Sequence, residues 1–309
     1  MSGAGPLRVA GAVADALRAG RAVVALETTL VTHGLPAPAG LAAARELEQA
    51  VRAAGALPAT IGALDGRLVV GLSPAELERL AAEPGVRKLN PSNLAATLAL
   101  GRAGSTTVAA TLLAAHRAGI RVFASGGIGG VHRGAALSFD VSADLAALAR
   151  HPVAVVCSGA KAVLDLPKTL EALETLGVPV LGFGCDELPA FYRRSSGLRL
   201  DARFDSVSDL ARAVRLHLDL AGGGVVVANP VPQAAELPQD VYEDSLSAAL
   251  RAAEAEGVRG RDVTPFLLER LRALTEGRSV FSNRALLADN ARLAGELAVA
   301  LAAETASPA

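Results

Sequence analysis

The chain has 309 residues, of which 51% are apolar and 20% are charged, with 30 lysines and arginines against 31 aspartates and glutamates. This length allows a large buried core, and the apolar content excludes a disordered chain. The balanced charge argues against a polyanionic partner, so we expect no binding to nucleic acid. Two cysteines are too few for a disulfide framework, and charges interrupt the apolar N-terminal segment. We therefore expect a cytoplasmic protein without a secretion signal or a membrane span.

Short, continuous apolar runs alternate with segments of helical period along the chain. A strand is predicted at residues 21–27, and apolar residues at helical spacing follow it from 41 to 51. Residues 59–71 are typical of two strands around an Asp-Gly turn, and Ser73 with Glu76 predicts a capping box for the next helix. Four more strands and a long amphipathic helix are predicted at 121–125, 153–157, 178–183, 225–228 and 284–304. The alternation predicts one domain over residues 1–309, an α/β sandwich around a largely parallel sheet.

Lysine is rare in this arginine-rich chain, with only Lys88, Lys161 and Lys168 among the 30 basic residues. An amine can lose its proton near neutral pH and attack a carbonyl, which arginine cannot do. Lys161 follows CSGA at a strand end among small and apolar residues, where poor solvation favours a Schiff base. A phosphate-binding lysine is the alternative at this position. Lys168 lies in a polar stretch and is expected to be incidental.

Ligands bind at the carboxyl ends of strands in such sheets, and two segments there draw attention. Glu27 ends an apolar strand, so it is either an acid or base with a raised pKa or a structural carboxylate that accepts from loop N–H groups. The glycine-rich segment 124–134 follows another strand; its N–H groups could hold a phosphate, with Arg133 adding charge, or its glycines could serve a tight turn. His132 stands where a dinucleotide fingerprint has its third glycine, so NAD is poorly supported.

Two carboxylates in SFDVSADL form a third candidate site. Asp140 and Asp144 stand four residues apart and share a face if the segment is helical. With Ser142 between them they suit a hard cation such as Mg²⁺ or Mn²⁺ better than zinc. Ser142 followed by an acid could equally be a helix N-cap, so the sequence leaves both interpretations open.

Nine motifs between about Arg21 and about Asn290 resemble, in this order, those of the pseudouridine-5′-phosphate glycosidases, relatives of the indigoidine-cluster protein. They are VALETTLVTHGLPAPAG, GALPATIGALDG, GSTTVAAT, VFASGGIGGVHRGA, SFDVSADL, VVCSGAK, GVPVLGF, ANPVP and TPFLLERL. The resemblance therefore extends over nearly the whole chain.

The resemblance implies reversible cleavage of pseudouridine 5′-phosphate to uracil and ribose 5-phosphate. It also implies a three-layer α/β/α sandwich around a largely parallel, mixed sheet, a homotrimer, and one divalent cation per subunit, usually Mn²⁺ with Mg²⁺ as the alternative. The family's proton donor falls on Glu27, its Schiff-base lysine on Lys161 and its metal-site aspartate on Asp140. Its substrate-binding residues fall on Lys88, Val108, Ser142, Ala143 and Asp144.

Such a site has a chemical rationale, because pseudouridine joins ribose to uracil through carbon and has no glycosidic heteroatom to protonate. Our hypothesis is that Glu27 protonates the ring oxygen while Lys161 attacks C1′ and opens the sugar. Two alternatives stay open at this stage. A Schiff-base aldolase acting on a sugar phosphate would use the same lysine, and a non-catalytic sugar-phosphate-binding subunit would bind without turnover.

Overall fold

The computed structural model describes residues 5–34, 38–258 and 263–306, and a parallel sheet of seven strands forms the centre of these ranges. The strands are β2 (Val23–Leu26), β3 (Leu57–Leu64), β7 (Val122–Ala124), β8 (Ala154–Cys157), β9 (Val180–Phe183), β10 (Ala202–Phe204) and β11 (Val225–Ala228). They lie side by side in the order β3–β2–β7–β8–β11–β9–β10. The Val-rich runs of β2, β8 and β11 are buried along their whole length, as strands covered on both faces require.

One edge of the sheet is antiparallel because β3 extends beyond its neighbour β2. Residues 57–60 of β3 pair with β2, whereas residues 61–64 pair antiparallel with β4 (Arg67–Val70). Asp65 and Gly66 connect them with positive φ angles of 52° and 72°, which confirms the predicted Asp-Gly turn. Three short strands complete the eleven-stranded sheet: β1 (Leu7–Val9) beside β4, β6 (Gly104–Thr106) beside β3, and β5 (Arg87–Leu89) beside β6.

Helices cover both faces of the sheet, which confirms the expected three-layer α/β/α sandwich. The α-helices of the described ranges are α1 (Gly11–Arg18), α2 (Ala39–Ala53), α3 (Pro74–Ala82), α4 (Pro91–Ala99), α5 (Val108–Ala118), α6 (Ala135–Ser138), α7 (Ala143–Arg150), α8 (Leu166–Thr175), α9 (Val207–Leu220), α10 (Gln239–Ala255), α11 (Val263–Leu274) and α12 (Arg278–Ala306). Helix α3 begins with the predicted capping box of Ser73 and Glu76. None of the helices in these ranges is long and apolar enough to cross a membrane.

The predicted C-terminal helix is α12, which packs against α2 and α9 and lies across β2, β7 and β8. Its leucines Leu286, Leu293 and Leu297 are fully buried. Gly295 allows α2 to approach closely, since a Cβ there would lie 2.6 Å from the Cβ of Ala54. The close packing of α12 on the sheet brings its one buried asparagine, Asn290, to the loops that follow β7 and β8.

Candidate active site

A cleft lies at the carboxyl ends of β2, β7 and β8, which are neighbours in the sheet. Glu27 directly follows β2, Lys161 lies in the loop after β8, and Lys88 is in β5. The cleft has two lobes, and these three side chains line both of them together with Thr29. Parallel strands end at one edge of the sheet, so the fold brings together charged residues that are far apart in the sequence.

Glu27 is only 8% exposed. The one hydrogen bond that the described residues make to its side chain comes from the Ser125 hydroxyl, at 2.5 Å from Oε1. Burial raises the pKa of the Glu27 carboxyl above its ordinary value, although the charge of Lys161 and the Ser125 hydrogen bond oppose the rise. A raised pKa suits a proton donor, because an acid must hold its proton at the pH of the reaction.

The backbone of Lys161 is fixed by the loop that follows β7. Ile128 N donates to the Gly159 carbonyl, and Lys161 N donates to the Ile128 carbonyl, each at 3.0 Å. Gly159 has a φ of +79°, and a Cβ there would collide with the carbonyl of Pro189. The two loops are thus joined beyond the ends of their strands. Lys161 lines the cleft, and its backbone is held in place by this connection.

The glycine-rich loop after β7 packs tightly against the protein. The N–H groups of Ile128, Gly129 and Val131 all donate to protein oxygens. A Cβ on Gly127 would lie 2.7 Å from the ring of Phe191, and a Cβ on Gly129 would collide with the start of α7. These glycines therefore serve close packing, and the three N–H groups are already engaged within the protein.

Asp144 lies in the first turn of α7 and is 5% exposed. Its Oδ1 accepts from Ala109 N and its Oδ2 from Gly129 N, each at 2.8 Å. Ser142 is the N-cap of α7, since its hydroxyl accepts from Asp144 N at 3.2 Å. Asp144 thus ties α7 to the start of α5 and to the β7 loop, and it lines the cleft beside Ser142 and Ala143.

Asp140 lies outside α7, so it does not share a helical face with Asp144. Its side chain is one-third exposed at the cleft, and the nearest histidine nitrogen, Nδ1 of His132, is 3.9 Å from Oδ2. Val108 is the first residue of α5 and is fully buried in the core, so its side chain packs behind the cleft. Arg133 lines a separate surface pocket with Arg193 and Tyr242, and not the cleft.

The two lobes of the cleft differ in chemistry. One lobe is mostly apolar and has three polar side chains that the other lobe lacks; it is lined by Leu30, His33, Ser125, Phe191, Pro265, Leu268, Asn283 and Leu287. The other is polar and is lined by Arg87, Asn90, Ser92, Asn93, Thr107, His132, Asp140 and Ser142. The sequence did not point to Ser125, His33 or Phe191. Ser125 directly follows the last residue of β7, so the rule that selected Glu27 could have found it.

We expect Asp144→Asn to destabilise the protein while Asp140→Asn leaves its stability unchanged. An amide NH₂ cannot accept a hydrogen bond, so one buried backbone N–H would lose its partner, at a cost of about 1–3 kcal/mol. Chemical denaturation of both variants and the wild type measures the difference. Equal unfolding free energies for Asp144→Asn and the wild type would contradict this structural role.

Comparison with known proteins finds relatives that match nearly the whole chain. A protein of Paracoccus denitrificans (strain Pd 1222) named pseudouridine-5′-phosphate glycosidase is 55% identical over 91% of this chain and 93% of its own length. A protein of the same name from Sorangium cellulosum (strain So ce56) is 51% identical over 96% of this chain and 93% of its own.

Solved structures show the same architecture. The prealnumycin C-glycosynthase AlnA, in complex with ribulose 5-phosphate, has a TM-score of 0.90 at 40% identity, over 97% of this chain and 98% of its own. An indigoidine synthase A-like protein from Thermotoga maritima MSB8 has a TM-score of 0.86 at 36% identity, over 96% of both chains. The model of the family described as indigoidine synthase A like protein matches residues 12–300. The chain therefore belongs to the indigoidine synthase A-like family, as the sequence motifs predicted.

Proposed function

We propose that this protein cleaves the carbon–carbon glycosidic bond of pseudouridine 5′-phosphate reversibly, giving uracil and ribose 5-phosphate. The observation that carries the proposal is the position of Glu27 and Lys161 where an apolar and a polar lobe of one cleft meet. Relatives that bear the name of this glycosidase, and a related C-glycosynthase that binds ribulose 5-phosphate, support the same substrate class.

The chemistry follows from the bond that must break. Glu27 gives its proton to the ribose ring oxygen while the Lys161 amine attacks C1′, which opens the ring and attaches the sugar to the enzyme. Protonation of uracil C5 then allows the C1′–C5 bond to break, and the bonding electrons stay with the base. The nitrogen lone pair forms an imine with C1′. Water hydrolyses the imine to ribose 5-phosphate and regenerates the amine.

The two lobes suit the two halves of this substrate. The apolar lobe fits the flat ring of a base, and the Asn283 amide among its apolar side chains can hydrogen-bond the edge of that base. The polar lobe, with Lys88 and the serine and aspartate at the start of α7, fits a sugar phosphate. In this arrangement the scissile bond lies at the junction, beside Glu27 and Lys161.

We expect Lys161→Arg to abolish turnover although it keeps the positive charge, because a guanidinium cannot form an imine. Borohydride added with ribose 5-phosphate is expected to increase the mass of the wild-type chain by one reduced sugar phosphate and to leave the variant unmodified. Mass spectrometry of the chain and chromatography of the released uracil provide the two readouts.

Lys168→Arg is the matched control. Lys168 lies on the exposed start of α8, where its Nζ pairs with Asp165 Oδ2 at 2.6 Å, and it does not line the cleft. This variant is expected to keep both turnover and borohydride trapping. Turnover in Lys161→Arg would remove Lys161 from the mechanism. Carbon-chain cleavage without uracil would instead identify an aldolase, and binding without turnover would identify a non-catalytic subunit.

We propose that one divalent cation per subunit, Mn²⁺ or Mg²⁺, binds at Asp140. In the part of the chain that the structure describes, no three His, Cys, Asp or Glu side chains form a metal-holding group. Asp140 nevertheless offers a one-third exposed hard oxygen donor at the polar lobe, and cations of this kind can be held by one or two carboxylates while they keep several waters. When bound, the ion supplies positive charge that helps to orient the sugar phosphate.

We expect Asp140→Asn to weaken Mn²⁺ binding at least about tenfold, because the amide carries no charge. Electron paramagnetic resonance of free Mn²⁺ measures the affinity without reference to catalysis. Asp219→Asn, which removes an exposed carboxylate on α9, is the control and is expected to bind as the wild type does. Equal affinities in all three proteins would place the ion elsewhere.

We further propose that the protein forms a cytoplasmic homotrimer. Leu137 and Phe139, on and just after α6, are 94% and 86% exposed beside the cleft residue Asp140, and large exposed apolar side chains are typical of subunit contacts. Both cysteines, Cys157 and Cys185, are free and buried, in agreement with a reducing compartment.

Light scattering is expected to give the wild type a mass three times that of one chain, and Leu137→Asp to lower it, because a charge at the contact would lose its water. Leu220→Asp, at the exposed end of α9, serves as a control at a position that is also highly exposed, and is expected to keep the wild-type mass. A monomeric wild type would contradict the proposal.

A further inference from the structure

The hydroxyl of Ser125 lies between two acceptors. It is 2.5 Å from Oε1 of Glu27 and 3.4 Å from the carbonyl oxygen of Gly127. Ser125 is 1% exposed, so water does not compete with these partners. A hydroxyl has one proton to donate and lone pairs with which to accept, so it can serve only one of the two oxygens as a donor at a time.

The backbone of Ser125 is held on both sides. Its N–H donates to the Val156 carbonyl of β8 at 3.0 Å, and its carbonyl accepts from the Asn290 amide of α12 at 2.9 Å. Asn290 is fully buried, and its own Oδ1 accepts from the Asn229 amide at 3.0 Å. With the main chain held by β8 and α12, rotation of the hydroxyl is the remaining freedom of this residue.

We propose that Ser125 is a positioning residue that follows the protonation state of Glu27 by turning its hydroxyl. When Glu27 is ionised, the hydroxyl donates to Oε1. When Glu27 carries a proton, the carboxyl donates to the Ser125 oxygen and the hydroxyl proton turns to the Gly127 carbonyl. The inference rests on the proposed function, in which Glu27 gives up and regains one proton in each turnover.

This exchange keeps Glu27 paired in both states. A buried polar group without a hydrogen-bond partner is costly. A proton donor therefore needs a partner in two states of each cycle: an acceptor while it carries its proton, and a donor after it has lost it. A fixed donor such as a backbone N–H would serve only the ionised state. A hydroxyl with a second acceptor within reach serves both, and Gly127 provides that acceptor from the same loop.

The groups around Glu27 determine in which direction removal of the Ser125 hydroxyl shifts the pH dependence of activity. Lys161 after β8 and Lys88 of β5 favour the carboxylate, Asp144 of α7 favours the protonated form, and His33 shares the apolar lobe. The Ser125 hydrogen bond also favours the carboxylate. Removal of the hydroxyl therefore raises the pKa of Glu27, and the high-pH limb of activity, where a proton donor is lost, moves to higher pH.

The test compares Ser125→Ala with Ser158→Ala. Ser158 is also a buried serine that follows a strand of the same sheet; its hydroxyl is bonded to Asn290 and makes no described hydrogen bond to Glu27. We expect Ser125→Ala to lower kcat about tenfold with little change in KM and to shift the high-pH limb upward. Ser158→Ala is expected to keep the wild-type limb. Ser125→Cys, with a weaker donor of similar size, is expected to fall between the wild type and Ser125→Ala.

A second readout does not depend on turnover. Carboxyl ¹³C NMR of the unliganded protein, with the Glu27 signal assigned from its loss in Glu27→Gln, follows the titration of Glu27 directly. We expect an upward shift in Ser125→Ala and none in Ser158→Ala. An active wild type with indistinguishable Ser125→Ala and Ser158→Ala variants would overturn the role of Ser125 alone. An inactive wild type would overturn the proposed function, and the NMR titration would still decide whether Ser125 controls Glu27.

Discussion

The burial of the Glu27 carboxyl is the constraint on which the rest of the cleft depends. A carboxylate with so little contact with water is stable only if charges and hydrogen bonds replace its hydration. Lys161 and Ser125 supply that replacement from the loops that follow β8 and β7, the next two strands after β2 in the order of the sheet. These interactions offset the effect of burial only in part, so the pKa of Glu27 stays above its ordinary value.

The loops that carry these partners are rigid because they are bonded to one another and to α12. The loops after β7 and β8 exchange backbone hydrogen bonds beyond the strands, and the Asn290 amide connects the Ser125 carbonyl with the Ser158 hydroxyl. Glycines at 127 and 159 allow this approach, since a side chain at either position would meet Phe191 or Pro189. The C-terminal helix is thus part of the support of the site, although it supplies few of its lining residues.

The sequence predicted those elements whose local residue pattern alone is enough to define them. The continuous Val run of β11 and the Asp-Gly turn after β3 were predicted because their local chemistry is sufficient to define them. The strands β5 and β10 were not predicted, because each has only three residues, charged ones among them, and is defined by its pairing with another segment. The role of Ser125 was hidden for the same reason: its contact with Glu27 joins residues 98 positions apart.

The three lysines show why composition was informative about the site. The ion pairs on the surface of the described chain are made almost entirely by arginine, which forms paired hydrogen bonds to carboxylates. Lys168 likewise forms a surface ion pair, with Asp165 at the exposed start of α8. Lys88 and Lys161 instead line one cleft beside a buried carboxyl. A guanidinium cannot form an imine, so an amine at Lys161 is what the proposed attack on the sugar requires.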